Sequence, residues 1–165
     1  MQTIILLHGA IGAKDQLEPL AVELKQQGYN VFTLSFSGHG QTPFAANFGI
    51  EQFALELEQF IKEKNLDKPT VFGYSMGGYV ALYLAHRSPN ILGNIITLGT
   101  KLEWSPEIAK KEVKMLDSQT IIEKVPKFAE ALKKRHGQDW ELLLQKTAEM
   151  MLSLGNKNAL SLSDF

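Results

Sequence analysis

"TVFGYSMGGYVALYLA", residues 70–85, decides how this chain folds. An apolar run enters the stretch and another leaves it, with Gly73, Ser75, Gly77 and Gly78 between them. The spacing Gly-x-Ser-x-Gly between a strand pattern and a helix pattern predicts a sharp turn with Ser75 at its tip. A serine held there has strained backbone angles, and its neighbours must lack side chains to avoid collision. Gly73 and Gly77 supply that clearance, and Gly78 lets the helix pack closely against a neighbouring strand. The turn aims Ser75 out of the carboxyl edge of a sheet, at the positive end of the following helix. A developing oxyanion is stabilised at such a place. The plainer alternative is a glycine-rich turn with an incidental serine. A phosphate-binding loop is excluded because no Gly-Lys-Ser/Thr follows.

Outward from this turn the first hundred residues alternate. "TIILL" (3–7) is a short apolar run ending in His-Gly, "YNVFTLSF" (29–36) a second run closed by "SGHG", and "PTVFG" (69–73) the run that enters the turn. "GNIITLGT" (93–100) is the fourth. Between the strands, Leu17, Leu20, Ala21 and Leu24 recur at helical intervals behind Asp15 and Glu18, which have the spacing of a capping box. Phe53, Leu57, Phe60 and Ile61 form the apolar stripe of a helix from about 50 to 64. Residues 78–87 continue as a helix to Ser88-Pro89. This β-α-β-α-β-α-β order predicts an α/β fold with a mostly parallel sheet and helices on both faces. The strands lack polar alternation, as expected when both faces are covered. From Ser105-Pro106 onward, helical patterns near 106–116, 119–136 and 139–153 break at Pro126, Gly137 and Gly155-Asn156. The expected division is therefore a core at 1–100, a helical insertion at 101–160 and the start of a return to the core at 161–165.

A length of 165 residues suits one domain, and 44% hydrophobic residues suffice for a sizeable core. A net charge of −1 gives no reason to expect nucleic acid or an anionic membrane as partner. The absence of cysteine removes disulfides, thiolate catalysis and Cys-ligated zinc, and suits a reducing cytoplasm. No apolar run approaches the ~20 residues of a membrane span, and Met1 leads directly into a strand pattern without a basic leader.

Three stretches, "LLHGAIG" (6–12), "SGHGQT" (37–42) and "GYSMGG" (73–78), follow the first three strands in order. With them the chain resembles the α/β-hydrolase superfamily, in its serine esterase or carbon–carbon hydrolase branch. The resemblance covers residues 1–100, and the 101–160 helices match a lid by position. It implies that Ser75 is the nucleophile and that the backbone N–H groups of Ala10 and Met76 form the oxyanion hole. The implied substrate is a small-molecule ester, thioester or related acyl compound. No cofactor is implied, because side chains and water suffice. Trp104, Met150 and Met151 are candidates to line an apolar pocket under the lid.

A serine nucleophile needs a base, normally an imidazole oriented by a carboxylate, and in this superfamily both follow the serine in the chain. Neither expected strand is present in these 165 residues, which suggests the N-terminal part of a longer hydrolase. His8 and His39 lie near Ser75 but read as turn residues. His86 falls on the helix facing away, and His136 reads as a cation complementing a helix dipole or, alternatively, as a lid-borne base. Among the acids, Asp67 lies at the wrong end of the sheet, and Glu103, after the fourth strand, reads as a solvated loop carboxylate or, by the resemblance, as the triad acid. The family's strand order would leave 93–100 as an open edge carrying Ile95, Ile96 and Leu98, completed by further strands or by pairing into a homodimer. The rival classes are a non-catalytic binding module and a self-associating chain.

Overall fold

The computed structural model describes residues 1–164. Four strands, β1 (Thr3–Leu7), β2 (Asn30–Leu34), β3 (Thr70–Tyr74) and β4 (Ile95–Leu98), form one parallel sheet in the order β2-β1-β3-β4. This is the order that the resemblance implies, with β4 at the edge. Ile5 pairs with Phe32 on one side and Val71 on the other, and Phe72 pairs with Ile96. Helix α1 (Glu18–Gln26) covers one face through Leu17 and Ala21 against Ile4, Leu6 and Val31. Helices α2 (Ile50–Glu63) and α3 (Met76–Arg87) cover the other, where Phe53, Leu57, Val80 and Leu84 close over Ile5, Leu7 and Val71. Both faces of β1 are therefore apolar, and Ile5, Leu6 and Leu7 are fully buried.

Two strands are shorter than their apolar runs. The backbone N–H of Phe36 turns out of the ladder to donate to His8 Nε2 at 3.2 Å, so β2 ends at Leu34. Gly93 N–H donates to Pro69 O at 3.0 Å and Gly99 takes φ +64°, confining β4 to Ile95–Leu98. The outer edge of β4 is open among the described residues, with Ile96 53% and Leu98 57% exposed.

Asp15 is not a helix cap. A short 3₁₀ turn at Lys14–Leu17 moves the start of α1 to Glu18, leaving Leu17 at its N-cap without a side-chain bond. The Asp15 carboxylate instead accepts from Arg135 Nε–H at 3.1 Å.

Beyond β4 come α4 (Pro106–Val113), α5 (Ser118–Lys124), α6 (Pro126–His136) and α7 (Trp140–Asn156). Pro126 opens α6, and Gly137, at φ +78°, ends it. Gly155, by contrast, lies inside α7. A Cβ there would sit 2.6 Å from Ala109 Cβ and 2.8 Å from Ser105 O, so this glycine marks where α4 and α7 touch. Ile121, Ala129, Leu132, Trp140 and Leu144 make a small core of their own, while Met150 and Leu154 join the main one. Asn158–Leu160 lie against Tyr79 of α3. Tyr79 Oη donates to Asn158 Oδ1 at 2.5 Å and accepts from Leu160 N–H at 3.0 Å. No helix among the described residues is long and apolar enough to cross a membrane.

Candidate active site

Ser75 is the single residue between β3 and α3, at φ +50° and ψ −114°. A non-glycine residue rarely adopts this positive-φ backbone, which costs roughly 1–3 kcal/mol. Its neighbours hold it there. Ser75 N–H donates to Leu98 O at 2.8 Å, and its carbonyl accepts from Gly78 N–H at 3.1 Å and from Thr100 Oγ1 at 2.9 Å. The glycines act as expected: a Cβ on Gly73 would run into the Gly78 backbone, and one on Gly77 would lie 2.5 Å from Leu7 O. Gly78 faces Thr97 of β4, with a Cβ position 3.0 Å from its methyl group. Thr100 belongs to this support and has no local signal that would have singled it out.

The "HGAIG" loop lies directly against the serine. A Cβ on Gly9 would be 3.3 Å from Ser75 Cβ. Ala10, Ser75 and Met76 share the wall of a narrow cleft whose remaining lining includes Trp104, Met150 and Met151. Met76 opens α3, so its N–H and that of Gly77 are among the helix's unpaired donors. Lys101 also borders the cleft, paired with Glu112 and lying 5.5 Å from the centre of the Trp104 ring.

No imidazole faces Ser75 among the described residues. His8 is fully buried, with Nδ1–H donating to Gly9 O at 2.8 Å and Nε2 accepting from Phe36 N–H. His39 is also fully buried, with Nδ1–H on Ser37 O at 3.1 Å, and its ring packs against His8, Phe48 and Phe53. His86 Nδ1 lies 3.6 Å from Asp164 Oδ1. His136 corrects the sequence reading: it is neither a solvated cation nor a base facing the serine. It is buried, its Nδ1 accepts from Gly40 N–H at 3.0 Å, and its Nε2–H donates to Ile11 O at 2.8 Å. Glu103 is exposed on the loop after β4, and no group of three metal-ligating side chains is assembled among the described residues.

Burial lowers all three inner histidines. Loss of hydration holds His8 at about 4 and His39 at about 3, and it also pulls His136 below its ordinary value. Unfolded imidazoles near 6.5 take up protons that the folded ones refuse, so the native state is fully stabilised above about pH 6.5 and loses stability as pH falls. His8 and His39 together set a window from about 6.5 down to about 3. Urea unfolding at pH 4.5 is expected to give a free energy lower by about 3 kcal/mol for each of these two rings than at pH 7.5. Equal stability at both pH values would contradict the neutral assignment.

Residues 2–146 match the family model described as alpha/beta hydrolase fold, and the chain belongs to that family. It is 27% identical over 111 residues to ethanol acetyltransferase 1 of Hanseniaspora uvarum, a match covering 65% of this chain and 32% of that protein. To the sn-1-specific diacylglycerol lipase ABHD11 of Mus musculus it is 27% identical over 99 residues, covering 59% and 32%. The chain thus spans about a third of the length of these curated relatives. Among solved structures, a marine microorganism esterase matches with a TM-score of 0.66 and 27% identity, over 88% of this chain and 59% of that one. The enol-lactonase from Burkholderia xenovorans LB400 shares the fold, with a TM-score of 0.70 at 16% identity, over 92% and 65%.

Proposed function

We propose that this chain carries the nucleophile and oxyanion hole of a serine hydrolase acting on a carboxylic ester, thioester or related acyl substrate. The observation that carries this reading is Ser75 itself, held at φ +50° between β3 and α3 with the Gly9–Ala10 loop against it. Ser75 Oγ attacks the acyl carbonyl and gives up its proton to a base, and the Ala10 and Met76 amides hold the oxyanion. The alcohol or thiol leaves with a proton, and water then releases the acid. Helices α4–α7 serve as the lid, with the acyl group against Trp104, Met150 and Met151. Because His8, His39, His86 and His136 are engaged elsewhere, the base and its carboxylate come from outside the described residues. Esterase and lipase names among the relatives support the acyl class.

The same engagement of the histidines favours a second reading, a binding module that keeps the cleft without turnover. A fluorophosphonate applied to the protein as its host produces it separates the two. One adduct, on Ser75, is expected. No adduct on a protein that still binds a medium-chain ester would favour the module.

A further inference from the structure

The loop that carries Ala10 is held from above by the C-terminal helices. Ile11, the next residue, adopts φ +52°, a conformation that β-branched residues rarely take. Within the loop, Gly12 N–H closes a turn on Gly9 O at 3.0 Å. The Ile11 side chain packs into the separate core of Ile121, Ala129, Leu132, Trp140 and Leu144, and its carbonyl accepts from His136 at 2.8 Å. The other His136 nitrogen accepts from Gly40 in the loop after β2, and Arg135 reaches Asp15 on the far side. One imidazole at the end of α6 therefore fixes two loops of the sheet domain, 125 and 96 residues away in sequence.

We propose that His136 is a positioning residue for the oxyanion hole: by clamping the strained Ile11 peptide it sets the direction of the Ala10 N–H, so docking of α5–α7 and assembly of the oxyanion hole are one event. This rests on the acyl-hydrolase reading above. Ile11 O shares its peptide plane with the Gly12 N–H, that N–H donates to Gly9 O, and Gly9 O shares its plane with the Ala10 N–H, so holding Ile11 O restrains the Ala10 amide through this turn. Without the clamp, the left-handed Ile11 relaxes and the donor swings away from the place where negative charge develops. The consequence falls on the transition state rather than on substrate binding.

The test uses two amide replacements. In His136→Asn the side-chain oxygen falls near the position of Nδ1, so the Gly40 bond is kept and the Ile11 bond lost. In His136→Gln the amide nitrogen falls near Nε2, so the Ile11 bond is restored. Steady-state hydrolysis of a p-nitrophenyl ester is expected to show kcat about 10- to 100-fold lower for Asn, with KM within about twofold, and a substantial recovery for Gln. Circular dichroism at the assay temperature confirms that both variants are folded. Wild-type kcat in the folded Asn variant, or Gln no better than Asn, would overturn the proposal. An unfolded Asn variant would overturn it too, since the histidine would then be a structural support. If the wild type itself neither reacts with fluorophosphonate nor turns over ester, the hydrolase reading fails instead, which is a separate result.

Discussion

Ser75→Ala is expected to lower kcat for a short-chain p-nitrophenyl ester by about 10⁴-fold or more in the protein as its host produces it. The missing Oγ is the atom that would bond to the acyl carbon, and no neighbouring group substitutes for it. Among the described residues the serine's support is made by its backbone, through Leu98 O, Gly78 N–H and Thr100 Oγ1, and alanine keeps all of these bonds. The melting temperature is therefore expected to stay close to wild type, and KM to change little because the apolar lining of the cleft is intact. A variant within tenfold of wild-type kcat would remove Ser75 from the chemistry.

Gly77→Ala has the largest expected effect on stability. Its Cβ would sit 2.5 Å from Leu7 O and 2.7 Å from Leu7 Cβ, and Leu7 is fully buried in the central strand β1. Backbone in a packed sheet cannot move aside cheaply, so the clash is relieved by pushing α3 off the sheet, at about 3 kcal/mol or more. For a chain of this length that is roughly 6–12 °C in Tm, and a large part of the ~5–15 kcal/mol by which domains are stable. Gly28→Ala is the control. Gly28 has φ +86° but nothing within 4 Å of its Cβ position, so only the backbone penalty of about 1 kcal/mol is expected. Equal losses from both substitutions, measured by urea unfolding, would show that steric clearance is not what Gly77 provides.

Features set by local pattern are legible in the amino-acid sequence. The run 3–7 is β1 as observed, while the sheet order comes from the family resemblance and not from the local pattern. The serine turn is legible because collision with a Cβ is a local matter, settled within five residues by Gly73 and Gly77. Long-range partners are not. Asp15 resembles a helix cap because it precedes Glu18 by three, yet its partner is Arg135, 120 residues on. His136 has the local surroundings of a dipole-complementing cation, and only the fold reveals that Ile11 and Gly40 desolvate it and take both ring nitrogens. Gly155 looks like a helix stop for the same reason. A glycine that ends a helix and one that lets two helices touch are alike in one dimension, and Ala109 is what distinguishes them.

The most direct measurement of the central claim is a crystal structure of the protein after reaction with a phosphonate ester. The expected density joins phosphorus to Ser75 Oγ, with the phosphoryl oxygen about 2.7–3.1 Å from the N–H groups of both Ala10 and Met76. An adduct on any other residue, or one on Ser75 whose phosphoryl oxygen turns away from both amides, would contradict it.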